Sequence, residues 1–230
     1  MIRQIAIFYH CLLAIGDPPD LLPGAFSVVD EQMDWLKKSG LLNYTSKFVV
    51  GINGGEESND LANLVIPAQA ERVMHGLSSR SENLTILEIE KWVKDHPNWN
   101  VLYFHSKGAT QNPNDILRIS WRSCMMRNLV INWRRCVSDL DLGYDSVGCH
   151  WLKKMGSDHS QNYWAGNFWW AKSNFLQTLP PMSDRIRIKM SGISSLESRY
   201  ESEVWIGNGK RLPNVKDYHP VNPSIKGACI

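Results

Sequence analysis

The sequence predicts an α/β domain in which helices flank a mixed, mostly parallel sheet. One pattern in the sequence leads to this fold class. Short apolar runs typical of buried strands alternate along the chain with longer segments of helical periodicity. Alternation of this kind favours strands joined by crossover helices. The chain has 230 residues, 43% of them hydrophobic, which is enough for one core, so we predict a single domain.

Four apolar runs are predicted as strands, and polar residues or glycine follow each of them. These runs are residues 4–9, 47–52, 99–105 and 144–150. In a parallel sheet the ligand crevice lies beyond the carboxyl ends of the strands. The residues that follow the four runs therefore form a predicted polar cleft, and Asn53 after the second run is one of its predicted donor-binding residues.

Helical periodicity predicts the remaining elements. The segments are 27–38, 85–94, 115–138, 173–179 and 197–206. In the longest of them apolar residues recur at spacings of three, four or seven, and arginines occupy the other face. Proline, glycine and polar residues predict loops over 11–25 and 152–162, and the tail after Pro213 is predicted to be irregular.

Composition excludes several functional classes. The formal net charge is only +2, so no global field attracts nucleic acid and any basic site must be local. No stretch reaches the roughly 18 apolar residues of a membrane span. The five cysteines show no zinc spacing and are predicted as reduced thiols. We expect a cytoplasmic protein without an integral membrane segment, and leave peripheral association with a membrane open.

The first candidate motif is the turn after residues 99–105. His105 ends that strand, and Lys107 and Gly108 lie in the turn that follows it. Lysine holds phosphate as a point charge, and the backbone N–H groups of a glycine turn can add to it. We predict these three residues, with Arg122 from the next helix, as ligands of a diphosphate. An ordinary solvated turn is the alternative interpretation.

The second candidate motif is an aromatic run around Gly166 and Asn167. Aromatic rings can stack on the apolar C–H faces of sugars, and an asparagine amide can both donate to and accept from hydroxyl groups. The alternative is a core strand with bulky side chains. The predicted acceptor-binding residues are Trp164, Gly166, Asn167, Phe168 and Trp170, with a weaker candidate pair in Asp158 and His159.

The third candidate motif contains two acids, Glu201 and Glu203. A transfer to a hydroxyl group requires a base that takes its proton, and a carboxylate can serve. We predict that one of the two is catalytic, with Glu203 preferred. The alternative is a solvated start of a helix, where acids favour the dipole. His75, His96 and His219 are predicted as structural or surface residues.

Together these motifs resemble GT-A-type glycosyltransferases of bacterial and viral polysaccharide biosynthesis. The matching segments are 104–108, 121–122, 144–148, 165–172 and 203–207. The resemblance implies a single GT-A-like, Rossmann-like domain that transfers sugar from a nucleoside-diphosphate sugar to a hydroxyl of a glycan or glycolipid acceptor. Residues from about 1 to 110 would be the nucleotide-sugar-binding half and about 111 to 230 the acceptor-binding and catalytic half.

The resemblance also implies roles for individual residues. Tyr9 and His10 stand where such enzymes meet the nucleotide base, and Glu203 stands where inverting members keep their base. Many members have an Asp-x-Asp metal motif after the strand that matches 99–105, but here the residues are His-Ser-Lys. The other Asp-x-Asp, at 139–141, is predicted to close a helix. A divalent cation, Mn²⁺ or Mg²⁺, stays open as a cofactor.

We expect Lys107, Trp170 and Glu203 to meet at one mouth of the sheet. The alternative function is a non-catalytic glycan-binding module, which would account for the aromatic run but not for the lysine at a strand end.

Overall fold

The computed structural model describes residues 4–13, 22–55, 57–76, 82–109, 114–153, 162–182 and 201–219. Nine strands are defined in these residues. They are β1 (Ile5–Leu12), β2 (Thr45–Asn53), β3 (Glu71–Met74), β4 (Asn100–His105), β5 (Ser146–Gly148), β6 (Trp151–Lys153), β7 (Asn162–Trp164), β8 (Trp169–Lys172) and β9 (Val215–Asp217).

The helices alternate with the strands, as the sequence predicts. They are α1 (Leu22–Lys38), α2 (Glu57–Val65), α3 (Asn83–Val93), α4 (Ile116–Met126), α5 (Trp133–Asp141) and α6 (Ser173–Leu176). Short 3₁₀ turns lie at Leu41–Tyr44 and Trp205–Gly207. Among the described residues, no helix is both long enough and apolar enough to cross a membrane.

Seven of the strands form one mixed sheet in the order β3-β2-β1-β4-β8-β5-β9. Strand β8 runs antiparallel to β4 and β5, and the other neighbouring pairs are parallel. Strands β6 and β7 pair separately as an antiparallel ribbon. The predicted α/β class, with a mostly parallel sheet flanked by helices, is therefore confirmed.

Both faces of the sheet are covered, which gives two core layers. Along β1, Ile7 and Tyr9 pack with α1 and the α4–α5 region, whereas Ala6 and Phe8 pack with α3 on the opposite face. Because successive residues of a strand point to opposite faces, a strand covered on both faces is apolar throughout. This explains why the sequence shows β1 as a continuous apolar run.

The longest predicted helix is real but interrupted. Residues Arg127–Ile131 form a π-helical segment between α4 and α5. The carbonyl of Leu129 in this segment accepts a 2.8 Å hydrogen bond from the indole of Trp170. Asp139 and Asp141 lie in the last turn of α5, so they close a helix rather than follow a strand, as predicted.

Two boundaries differ from the sequence prediction. Helix α1 begins at Leu22, five residues before the predicted start at Ser27. The N–H groups of the first helical turn have no partner within the helix, and proline has no N–H to leave unpaired. Pro23 therefore fits in this turn and does not mark a loop. The tail after Pro213 is not irregular throughout, since β9 adds to the sheet beside β5. Its three residues are half-buried, and so short an edge strand has little sequence pattern.

Replacing Gly207 with alanine is expected to destabilise the fold by roughly 1–3 kcal/mol, the usual cost of overpacking. A Cβ at this position would lie 1.7 Å from the backbone oxygen of Asn162 in β7, and backbone cannot turn aside as a side chain can. Urea unfolding measures the loss. Gly209→Ala is the control, since its nearest contact would be 3.2 Å. Equal stability of the two variants would contradict the packing described here.

Candidate functional site

The order of the strands defines where a ligand crevice is expected. The chain passes from β1 to β2 and β3 on one side, and then places β4 on the other side of β1. In open α/β sheets, ligands bind beyond the carboxyl ends of the two strands between which the order reverses. His10 of β1 and His105 of β4 are partners in the parallel register at this point.

His105 forms a buried ion pair with Glu82, which precedes α3. Its Nδ1 lies 3.3 Å from Glu82 Oε1, and its Nε2 lies 2.9 Å from the carbonyl oxygen of Gly166. Both partners are acceptors, and an imidazole donates through both nitrogens only as imidazolium. The geometry therefore favours a charged His105 against an ionised Glu82.

Three further groups stabilise the Glu82 carboxylate. The hydroxyl of Tyr103 donates to Oε2 at 2.9 Å, and the side-chain amide of Asn167 donates to the same oxygen at 2.8 Å. Burial by itself would raise the pKa of Glu82. The neighbouring histidines, first His105 and then His10, and these two hydrogen bonds outweigh burial and leave the pKa of Glu82 below its ordinary value.

His10 belongs to a second group on the same face of the sheet. Its Nδ1 lies 2.9 Å from Thr85 Oγ1, which also lies 3.2 Å from Nε2 of His75. The group needs the glycine at position 51, because a Cβ there would lie 2.1 Å from Thr85 Oγ1. Burial lowers the pKa of His10 to about 3, which Glu82 opposes and His105 reinforces. His10 is therefore neutral near pH 7.

Stability is expected to fall as the pH is lowered from about 6.5, the ordinary histidine pKa, because only the unfolded state then protonates His10. One such group contributes a slope of up to about 1.4 kcal/mol per pH unit. Between pH 6.5 and the ordinary pKa of glutamate, 4.5, Glu82 stays ionised in both states, so this window isolates the histidines. Urea unfolding at a series of pH values measures the slope of the unfolding free energy against pH.

The control is His10→Asn, which keeps a polar atom near the Nδ1 position and removes the titrating ring. Burial also lowers the pKa of His75, so the slope should decrease in the variant rather than vanish. An unchanged slope would show that His10 does not contribute.

The turn after β4 carries one cation, Lys107, and a second cation, Arg122, contacts this turn from α4. The ammonium of Lys107 lies 4.3 Å from the centroid of the Trp121 ring, in a cation–π contact. Arg122 donates to the backbone oxygen of Lys107 at 3.1 Å and to Glu31 of α1 at 2.6 Å. Gly108 has a φ of 88°, in the left-handed region that favours glycine. The arrangement holds a cationic turn at the carboxyl end of β4.

Asn53 lies at the same edge, at the end of β2. Its side chain is buried, and neither amide atom has a hydrogen-bond partner among the described residues. A buried amide without partners costs roughly 1–3 kcal/mol for each unsatisfied group. Such a group in a folded protein calls for a specific explanation, and a bound ligand is one.

The burial of Tyr9 does not fit the predicted contact with a nucleotide base. Its ring is fully buried in the core under α1, and its hydroxyl donates to Gln32 at 2.7 Å. Gln32 in turn donates to the backbone oxygen of His105. Tyr9 therefore supports the end of β4 from below and offers no surface to a nucleotide base.

The aromatic run that the sequence predicted as an acceptor-binding surface, called the aromatic shelf below, lies inside the fold instead. Trp164, Phe168 and Trp170 are fully buried. The indoles of Trp164 and Trp170 donate to Ser146 and Leu129, so their polar atoms are used inside the fold. Buried rings have no face left for a sugar, which removes the observation that favoured a glycan-binding module.

Gly166 and Asn167 form the turn before β8, both with positive φ, of 89° and 54°. Asn167 is fully buried, donates to Glu82 and accepts from the indole of Trp169 at 2.9 Å. This turn therefore contributes to the Glu82 network instead of binding an acceptor, contrary to the prediction.

The two predicted acids differ in exposure. Glu201 is buried, whereas Glu203 is half-buried. Burial raises the pKa of Tyr103, and the charges of Glu82 and Glu203 add to this effect, so Glu203 lies near the Tyr103 phenol.

Trp205 and Ile206 pack in the core on the α3 face, while Trp170 packs on the opposite face. Because Trp170 is enclosed in the core on that opposite face, the expected meeting of Lys107, Trp170 and Glu203 at one mouth does not occur. Asp158 and His159 lie outside the described residues.

The residues after β4 do not fit a divalent metal. Both nitrogens of His105 are engaged with Gly166 and Glu82, and the ammonium of Lys107 would repel a cation. Among the described residues, no three His, Cys, Asp or Glu side chains group closely enough to hold a metal ion.

Sequence reasoning missed Glu82, Thr85, Tyr103 and the role of His75. Glu82 is separated from His105 by 23 positions and stands before a helix, where an acid looks like an ordinary helix-terminal residue. The available signal was the Tyr-x-His spacing of β4, which places Tyr103 and His105 on one face.

The fold and this edge define an α/β domain with polar side chains gathered at the reversal of strand order. A family model, described as a domain of unknown function (DUF8361), matches residues 8–212. The chain therefore belongs to that family. Among curated proteins no sequence matches.

Several solved structures are similar in fold. The 4-diphosphocytidyl-2C-methyl-D-erythritol synthase of Anaerococcus prevotii is 11% identical, with coverage of 99% of this chain and 94% of that chain and a TM-score of 0.47. A putative nucleotide-diphospho-sugar transferase from Desulfovibrio desulfuricans is 7% identical, with coverage of 81% and 76% and a TM-score of 0.41. Rv0371C of Mycobacterium tuberculosis, in complex with manganese, is 13% identical, with coverage of 84% of each chain and a TM-score of 0.38. Likenesses this distant carry no argument about the chemistry of this chain.

Proposed function

We propose that this chain is a glycosyltransferase that uses a nucleoside-diphosphate sugar and transfers the sugar to a hydroxyl group of a glycan or glycolipid. One observation carries the proposal. The reversal of strand order between β1 and β4 coincides with a cationic turn that contains Lys107 and Gly108. A crevice at that position with a fixed cation suits the diphosphate of such a donor.

Asn53 supports the same donor site. A primary amide presents a donor and an acceptor side by side, which matches the hydrogen-bonding edge of a nucleobase. Its two unsatisfied amide atoms at the end of β2 would gain partners from a bound base. We assign base recognition to Asn53 instead of Tyr9, and diphosphate binding to Lys107 with the backbone of Gly108.

In this proposal the leaving diphosphate is stabilised by protein cations. Lys107 offsets the negative charge that develops on the diphosphate, as preorganised positive groups do in a desolvated site. Arg122, held by Glu31 and by the Lys107 carbonyl, fixes the turn. Glu203, the half-buried acid of the predicted pair, takes the proton of the acceptor hydroxyl, which gives an inverting transfer.

Lys107→Met is expected to weaken the binding of a nucleoside diphosphate roughly 10- to 100-fold, the effect of losing one hydrogen bond to a charged group. Isothermal titration of UDP and GDP, each with EDTA and then with Mn²⁺, measures it. Lys37→Met is the matched control, because Lys37 is exposed at the end of α1. Strict dependence on Mn²⁺, or equal affinity of the two variants, would contradict the role of Lys107.

A further inference from the structure

A cleft of about 150 Å³ opens beside the cationic turn. It lies between α1, which contributes Ser27 and Glu31, and the start of α4, which contributes Arg118, Ile119 and Arg122. This volume is below the roughly 300 Å³ at which ordinary ligand clefts begin, so the cleft admits only a small ligand. Since the predicted aromatic shelf is buried, this cleft is a different surface from the one that the sequence suggested for a sugar.

The charges in the cleft cancel in pairs. Arg122 contacts Glu31 at 2.6 Å, and Arg118 contacts Asp115 at 3.0 Å. An anionic ligand would face two carboxylates, and a cationic ligand would face two guanidinium groups. A wholly apolar ligand would desolvate four charged side chains without replacing their hydrogen bonds to water. The cleft therefore favours a neutral, polar ligand.

The positive end of α4 is already occupied by the chain itself. The Asp115 side chain accepts hydrogen bonds from the backbone N–H groups of Leu117 and Arg118 at 3.1 and 3.3 Å. This carboxylate takes the place that a bound anion would take at a helix N-terminus. Phosphate would have to displace it, which is a second reason to exclude an anion.

Unused hydrogen-bonding groups of both kinds remain in the cleft. Within the described part of the chain, Arg118 donates to side chains only through Nε, so its two terminal amino groups are available as donors. Among the residues that the structure describes, Glu31 accepts from Arg122 alone and is partly exposed, so its oxygens keep lone pairs for a ligand. The exposed hydroxyl of Ser27 donates to the backbone of Gly24 and can still accept.

We propose that this cleft binds a neutral sugar ring. Each hydroxyl of a sugar both donates and accepts, which matches the donors of Arg118 and the acceptors of Glu31 and Ser27. The apolar side chain of Ile119 suits the C–H face of a ring. This inference rests on the proposed transferase for its role, in which the ring belongs either to the donor or to the acceptor.

The test is NMR of protein labelled with ¹⁵N in arginine side chains, titrated with methyl glycosides of common hexoses. The Arg118 resonances are expected to shift with at least one glycoside and not with inorganic phosphate. Arg118→Met should weaken glycoside binding roughly 10- to 100-fold. Because this variant lacks the Arg118 signal, its binding is followed through other resonances of the protein. Arg127→Met, an exposed arginine further along the same helical run, should leave it unchanged.

Ile119→Phe is a second variant that narrows the cleft and keeps all four charges, so it should also weaken binding. If the ring belongs to the donor, an intact nucleotide sugar will displace the glycoside while the nucleoside diphosphate alone will not. If it belongs to the acceptor, the glycoside will bind alongside a saturating nucleotide sugar.

Three results would contradict the proposal that this cleft binds a sugar. Either no glycoside shifts the Arg118 resonances, or phosphate shifts them equally well, or Arg118→Met and Arg127→Met bind the glycoside with equal affinity. Hydrolysis of nucleotide sugars by the same samples separates the two proposals. Glycoside binding without hydrolysis of any donor would contradict the transferase proposal and support the sugar-binding cleft. Donor hydrolysis without glycoside binding would contradict only the sugar-binding cleft.

Discussion

Replacing Glu82 with glutamine is expected to lower the free energy of unfolding by about 3–5 kcal/mol, the cost of removing one partner from a buried ion pair. The side chain of His105 would lose its counter-ion in a site that is closed to water. Tyr103 and Asn167 would lose a charged acceptor and keep only a neutral one. Urea unfolding at neutral pH measures the loss.

Glu88→Gln is the control for this variant. Glu88 lies on α3, the helix that Glu82 precedes, and pairs with Lys91 at 2.9 Å on the surface, where such pairs contribute about 1 kcal/mol or less. A double variant that also carries His105→Asn should lose less than the sum of the two single losses, because both charges are then absent. Additive losses would show that Glu82 and His105 do not form the pair.

The difference between the wild type and Glu82→Gln should also depend on pH. Because the pKa of Glu82 is below 4.5 in the folded state, its contribution is fully present above that value. It is then lost as the pH falls through the folded pKa. The two proteins should therefore converge in stability in acid, and a difference that stays constant would exclude an ionised Glu82.

Glu203→Gln is expected to reduce kcat roughly 10²- to 10⁴-fold, the usual contribution of a general base. The amide keeps the shape of the side chain and cannot take a proton. KM for the donor should change little, because the lost interaction acts mainly in the transition state. Steady-state rates of release of the nucleoside diphosphate in the presence of acceptor measure this effect.

Glu201→Gln tests the other predicted acid. Glu201 is buried, so its replacement should affect stability more than rate. An equal loss of rate in Glu201→Gln would move the role to Glu201, and a normal rate in both variants would exclude this segment from catalysis.

The sequence was sufficient for the fold wherever local pattern and burial agree. Buried parallel strands such as β1 and β4 are continuous apolar runs, so their positions could be predicted to within a few residues. Edge strand β9 could not, because three half-buried residues carry no pattern.

The aromatic run was misinterpreted for a physical reason. Alternation puts Trp169 and Trp170 on opposite faces of the sheet, which suggested that one face was open. Helices cover both faces, so both rings are in the core. Whether a second layer covers a strand depends on tertiary packing, and the residues of the strand do not indicate it.

The central site was only partly predictable. His10, Asn53 and Lys107 could be proposed because each lies close to the carboxyl end of a strand, and these strand ends share an edge. The partners of His105 could not, since Glu82 and Gly166 come from segments that only the fold brings together. Local sequence thus indicates the edge of the crevice, and long-range packing decides which side chains are free to act there.

The most direct test of the transferase proposal is a panel of nucleoside-diphosphate sugars, scored by thermal shift and by release of the nucleoside diphosphate. We predict that at least one donor stabilises the wild-type protein and is slowly hydrolysed, and that Lys107→Met loses both responses. If no donor is bound or hydrolysed, or if Lys107→Met responds as the wild type does, the crevice between β1 and β4 is not a nucleotide-sugar site.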